Sequence, residues 1–368
     1  MGRNLFISNS NNQGNKKKTA GVFLFLVLFF LTETLVYFLG PFISINPDNF
    51  IIQSQIKISR NGGLKKDLLI FGDSTAATAI DPIELQRYTG LDCYNFSTIG
   101  PAIMALNFSL LDNYLQRNPA PKFIILMSAY DSLRRGLESD GVRDTLANSC
   151  FAETLKGLLA IRQLDKAYDF VLYKVFLSLL PSQYYKYEIR RLLARNITFK
   201  PFFKNRPPLH YFFQKLLRNN GNYSFLLGED KLDDADARRQ RQRNLAQDLL
   251  SNKQFVENND FSVSRLNNYF LNKFLSEAES WNIKVFICLP PVLAEFYYSE
   301  RARRYLENCR LFLRNIPFRY KGVVLLTDSY YLVTQDQDKM TDAIDHLNHQ
   351  ESAICTRLIA GYLSKEKR

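Results

Sequence analysis

Histidine is scarce in this chain, with three residues in 368, and tryptophan occurs once. Two of the three histidines, His346 and His349, lie close together near the C-terminus, so imidazole chemistry is concentrated there. Cysteine is sparse too, at positions 93, 150, 288, 309 and 355. None has the paired spacing of a zinc site or a redox dithiol. Cys93 and Cys288 fall in expected strands, where a buried thiol behaves as a small hydrophobe. Their odd number leaves at least one unpaired unless it bonds another chain, and compartment does not follow from them. No internal repeat is visible. The formal net charge of +12 suggests an anionic neighbour such as lipid headgroups or an acidic polymer. No nucleic-acid-binding module accompanies that charge, so no nucleic-acid partner is expected.

What is present begins with a polar, asparagine-rich stretch over 1–19, ending in Lys16-Lys17-Lys18 and read as a cytoplasmic tail. The Met1-Gly2 start lacks the serine or threonine at the sixth position that myristoylation needs. Two apolar runs follow, Ala20 to Leu31 and Leu35 to Ile43, separated by Thr32-Glu33-Thr34. Together they are long enough to span a bilayer. Glu33 opposes this by about 2–3 kcal/mol at mid-membrane, which the many Phe and Leu residues offset. No small-x-small cleavage site follows, so 20–43 reads as a retained transmembrane anchor rather than a signal peptide. The preceding lysines put the N-terminus in the cytoplasm and the remainder outside it, as a single-pass protein of the cell membrane. Residues 44–66 read as a polar connector with turn signals at Asn46-Pro47 and Asn61-Gly62-Gly63.

From 67 onward, short apolar runs alternate with helical patterns. Strands are expected at 67–72, 92–96, 122–127, 283–289 and 322–326. Helices are expected at about 102–117, 263–281 and 351–364. In 263–281, Leu266, Phe270, Phe274 and Leu275 share one face. That alternation argues for an α/β domain over 67–368 with a five-stranded parallel sheet covered on both faces. The gap from about 132 to 262 is too long for a simple crossover and reads as a helical insert. Its basic residues include Arg190, Arg191, Arg195, Lys200, Lys204, Arg206, Lys215 and Arg218, interleaved with Phe and Tyr. A second cluster lies at Arg238, Arg239, Arg241 and Arg243. Such charge is either a solvated face or a surface for headgroups or an anionic glycan.

Chemistry is expected where the first strand ends, at Gly72-Asp73-Ser74. There the Ser74 hydroxyl sits at the carboxyl edge of the sheet, where open α/β sheets bind ligands. Free N–H groups at the following helix start can hold an oxyanion. A plain capping turn is the alternative for that tripeptide alone. The loop Thr341-Asp342-Ala343-Ile344-Asp345-His346 follows the last strand and belongs on the same edge. A serine hydroxyl needs an adjacent imidazole to take its proton, and the imidazole needs an acceptor on its other nitrogen.

These residues together resemble the SGNH/GDSL hydrolase superfamily: Gly72-Asp73-Ser74 after the first strand, Gly100 after the second, and Asp342 or Asp345 with His346 before the last helix. The likeness spans about 67–131 and 283–364 and omits the insert. Within the superfamily the chain is most similar to membrane-anchored members related to teichoic-acid D-alanylation and alginate O-acetyltransferase proteins. Those share an N-terminal anchor, an extracytoplasmic domain and a His-Leu-Asn-like ending, here His346-Leu347-Asn348. The resemblance implies a flavodoxin-like three-layer sandwich, with Ser74 as nucleophile and His346 as base. It makes the N–H groups of Ser74 and Gly100 the oxyanion hole, and it implies no cofactor and no metal.

Two departures from the family pattern stand out. Tyr130 occupies the place of the family's oxyanion asparagine, so the oxyanion hole either has one donor fewer or takes Tyr130 as a substitute, and losing such a donor costs about two to three powers of ten in rate. Ala343 occupies the usual aspartate position, three before the histidine. Asp342 is favoured over Asp345 as the triad acid, because a loop absorbs one residue whereas adjacent side chains on an extended loop point apart. The resemblance implies serine acyl transfer on O-acyl groups of a cell-envelope or exported glycan, anionic or neutral, with a multipass membrane acyltransferase as a possible partner. The alternatives are a non-catalytic envelope assembly protein of the same fold and a membrane-anchored carboxylesterase.

Overall fold

Five short apolar runs form five strands of one parallel sheet. The computed structural model describes residues 11–43, 47–98, 104–135, 149–179, 209–222, 235–326, 333–334 and 337–366. The chain runs α1 (Asn11–Ile43), α2 (Pro47–Ser59), β1 (Leu68–Gly72), α3 (Ser74–Ala79), α4 (Pro82–Thr89), β2 (Cys93–Asn95), α5 (Met104–Leu115) and β3 (Phe123–Met127). It continues through α6 (Phe151–Ala160), α7 (Leu164–Leu179), α8 (Leu209–Arg218), α9 (Ala235–Asn258) and α10 (Arg265–Ser280). The last part holds β4 (Lys284–Cys288), β5 (Val292–Leu293), α11 (Ala294–Tyr297), α12 (Glu300–Arg314), β6 (Val323–Leu325), β7 (Val333–Thr334) and α13 (His349–Glu366).

The main sheet has the order β2-β1-β3-β4-β6, every neighbouring pair parallel. The order reverses direction at β1, which creates the switch-point crevice where doubly wound sheets place their ligands. Both faces are buried, so the strands are continuous apolar runs rather than alternating ones. Leu69, Phe71, Ile124, Leu126, Val285 and Ile287 point into one core, with Phe270 and Phe274 of α10 and Leu110 of α5. Leu68, Ile70, Ile125, Met127, Phe286 and Cys288 point into the other, with Leu85 of α4, Leu306 of α12 and Ile359 of α13. Full burial of such a side chain contributes about 1.5–3 kcal/mol, so the two cores hold the strand edges in place.

Gly72 makes the turn into α3 possible. Its φ is +154°, and a Cβ there would lie 1.7 Å from the carbonyl oxygen of Met127. Gly72→Ala is therefore expected to destabilise the domain by more than about 3 kcal/mol. Denaturant unfolding measures this, and an unchanged midpoint would refute the close approach of β1 to β3. Asp81 caps α4 by accepting from the N–H groups of Ile83 (2.8 Å) and Glu84 (3.3 Å), with Pro82 in the first turn. The Asp81 N–H donates to Thr356 Oγ1 of α13 at 3.0 Å, which draws the C-terminal helix beside the start of the fold.

Two stretches differ from the sequence expectation. Residues 47–59, read as connector, form α2, whose Ile51, Ile52, Ile56 and Ile58 are buried in the first core. The Gln55 side chain, buried among them, donates to the carbonyls of Asn95 (2.9 Å) and Ser97 (3.2 Å) and accepts from the Tyr94 hydroxyl (3.1 Å). That satisfies a buried amide and fixes the segment leaving β2. The membrane-spanning helix expected over 20–43 is not found: among the described residues, no helix is long and apolar enough to cross a membrane. The stretch lies in α1, whose described side chains run from 20 to 36 and are interrupted by Thr32-Glu33-Thr34. Val22, Phe23, Phe25 and Leu31 are exposed there. By internal contacts the chain divides into residues 1–45 with 171–206, and 46–170 with 207–368.

Candidate active site

Three side chains, drawn from the two ends of the domain, form a hydrogen-bonded relay. Ser74 Oγ lies 2.9 Å from His346 Nε2, across 272 positions of sequence. His346 Nδ1 lies 2.8 Å from Asp342 Oδ1. In the neutral imidazole, with Nδ1–H donating to the carboxylate, Nε2 is the acceptor for the serine hydroxyl. This is the arrangement in which an imidazole takes a nucleophile's proton and a carboxylate steadies the resulting cation.

Each member is positioned by local structure. Asp73 caps α3: its Oδ1 accepts from the Thr75 N–H (3.0 Å) and hydroxyl (2.6 Å). Its Oδ2 accepts from the Ala129 N–H (2.8 Å) and from the Ser132 hydroxyl, joining the ends of β1 and β3. Asp73 is thus occupied in structure, and it aims Ser74 by holding the turn. The Ser74 N–H, first in α3, has no acceptor within the helix.

The histidine loop is closed by a bridge between Met340 and Leu347 and by the Thr341 N–H donating to the His346 carbonyl at 2.8 Å. Thr341 Oγ1 also donates to Asp342 Oδ1 at 3.0 Å. From α9, Asp248 accepts the Ile344 N–H at 2.9 Å. The Leu293 N–H donates to the Ile344 carbonyl at 2.7 Å. The insert therefore braces the loop that carries His346.

Asp345 is also brought to the site. Its carboxylate lies 4.0 Å from His346 Nε2, on the serine side of the ring, while Asp342 holds Nδ1. The two candidate acids thus have different places, and Asp342 occupies the orienting one. Burial raises Asp345 to about 7, helped by Asp73, Asp131 and Asp248 and opposed by His346. Its bond to His346 holds Asp342 down at about 2. Burial alone would lower the imidazole, but the Asp342 hydrogen bond and the charges of Asp345, Asp342 and Asp73 push it up to about 9.

Gly100, expected as the second oxyanion donor, lies outside the described residues, as do Arg190, Arg191, Arg195, Lys200, Lys204 and Arg206. Tyr130 does not act as a stand-in oxyanion donor here. It is buried in the second core against Phe296 and Tyr305, and its hydroxyl bonds Asn252 of α9. Sequence reasoning missed Asn267, which locks the turn after β3. Its amide donates to the carbonyls of Ser132 (3.0 Å), Leu133 (3.2 Å) and Arg135 (2.9 Å), while its oxygen accepts from the Met104 N–H at 3.1 Å. An asparagine on an amphipathic helix carries no local mark of such a role. Among the described residues, no group of His, Cys, Asp and Glu has the arrangement to hold a metal ion.

No family model and no curated protein matches this chain. The relay geometry and the strand order therefore stand on the chain's own residues.

Proposed function

We propose that the chain is a serine acyl-transfer enzyme of SGNH type, acting outside the cytoplasm on O-acyl groups of a cell-envelope glycan. The observation that carries this reading is the relay from Ser74 through His346 to Asp342, at 2.9 and 2.8 Å. Ser74 Oγ attacks the ester carbonyl as His346 Nε2 takes its proton. The tetrahedral oxyanion collapses, the alcohol leaves with that proton, and an acyl-serine remains. A glycan hydroxyl or water then attacks by the reverse path. The Ser74 N–H and the Gly100 N–H serve the oxyanion, as the resemblance implies. The exposed Val22, Phe23, Phe25 and Leu31 on α1 support membrane attachment of the N-terminal segment.

A second reading is a non-catalytic envelope assembly protein. The observation favouring it is Tyr130, whose hydroxyl is committed to Asn252. One experiment separates these readings and tests the location as well. A membrane-impermeant, serine-directed phosphonate is expected to label Ser74 on intact cells. Labelling only after lysis would overturn the extracytoplasmic placement. No labelling of the purified, folded chain would favour the non-catalytic reading.

A further inference from the structure

Beside the histidine loop lies a cleft of about 310 Å³, walled by Arg238, Arg241 and Gln242 of α9 and by Gln337, Asp338 and Thr341 of the segment entering the loop. Its volume is at the lower end of the range for small-molecule sites and suits a single sugar unit. The cleft offers two guanidinium groups, two side-chain amides and a hydroxyl against one carboxylate. Arg238 and Asp338 already have partners. Arg241 is half-buried and has no hydrogen-bond or ion-pair partner among the described residues. A partly desolvated, uncommitted guanidinium favours a planar oxyanion, which it binds through two parallel N–H donors. The neighbouring amides match sugar hydroxyls. Thr341 links the cleft to the chemistry, because its hydroxyl donates to Asp342, the carboxylate that orients His346.

We propose that this cleft is a subsite for an oxyanion-bearing sugar unit of the glycan, held by Arg241 next to the acyl-transfer site. The subsite deepens the serine acyl-transfer reading and depends on it for its place in the reaction. It also gives α9 a purpose beyond bracing the loop.

The test is binding, measured on the full-length Ser74→Ala chain so that turnover plays no part. Glucuronate, glucose 6-phosphate and glucose are titrated by calorimetry, with and without Arg241→Gln. At least one acidic sugar is expected to bind, glucose not, and Arg241→Gln to weaken the acidic sugar by about tenfold or more. Added salt should weaken it further. Comparison of the two acidic sugars distinguishes carboxylate from phosphate as the recognised group. Equal binding of glucose, or unchanged affinity in Arg241→Gln, overturns the subsite. So does binding only to anionic phospholipid vesicles. Should Arg241→Gln lower the melting temperature, Arg241→Lys replaces it, keeping the charge while losing the two-point contact, and retained full affinity there counts against the proposal. Sugar binding without ester turnover in the parent chain would refute the chemistry alone, and turnover without sugar binding would refute the subsite alone.

Discussion

Ser74→Ala and His346→Ala are each expected to lower turnover of a chromogenic acetyl ester by about 10⁶-fold, and Asp342→Ala by about 10⁴-fold. The order follows from the geometry. In the proposed reaction Ser74 supplies the attacking oxygen, and His346 Nε2, at 2.9 Å, is the group placed to take its proton. Without either, the relay has no function, so the double variant should be no worse than each single one. Asp342 acts one step further out, fixing the tautomer through Nδ1 at 2.8 Å. Its loss leaves nucleophile and base in place. None of the three is a core residue, so thermal unfolding should move little. Steady-state kinetics with a melting control makes the measurement. Full activity in Ser74→Ala would remove the enzyme reading.

A second large effect concerns pH. His346 is pushed up to about 9, so the resting imidazole is protonated at neutral pH and cannot accept the serine proton. The rate constant kcat/KM should therefore rise with pH and level off only above about 9. An unperturbed histidine would level off near 6.5. Asp345, which faces Nε2 at 4.0 Å, is one cause of that rise. Asp342, Asp73 and Asp248 also act on the ring, and Asp345 itself feels Asp131 and Asp248. Asp345→Asn removes a negative charge that favours imidazolium, so the limb should shift to lower pH. Activity near pH 7 should then rise relative to the plateau. Asp342→Asn should shift the limb in the same direction, but with a collapse of the plateau, because the tautomer is lost as well. A pH profile of each variant distinguishes the two acids. A limb that stays at about 9 in Asp345→Asn would show that its charge does not act on His346.

Much of the scaffold was legible because it is local. Leu68 to Phe71, Phe123 to Met127 and Val285 to Cys288 are apolar runs of strand length, and they form strands there. The turn at Gly72 was legible because only glycine accepts that backbone beside Met127 O. The pairing of a strand-end serine with a late Asp-His loop also followed from chemistry and chain order, since parallel strands share one carboxyl edge.

What tertiary structure alone decided has a common cause: partners that lie far apart in sequence. Asp342 and Asp345 are chemically alike, and only the loop closure at Met340–Leu347 turns one to Nδ1 and the other toward Nε2. Tyr130 took its place in a core because Asn252, from a helix of the insert, accepts its hydroxyl. Residues 47–59 read as connector on the turn signals at Asn46-Pro47 and Asn61-Gly62-Gly63, whereas the burial of Gln55 among the isoleucines is tolerated only once Tyr94, Asn95 and Ser97 supply its partners. Asp248, Asn252 and Arg241 acquired their roles when α9 was laid beside the histidine loop. Composition and spacing identify which groups can do chemistry. Burial and distance, which exist only after folding, assign each of them its proton, its partner or its ligand.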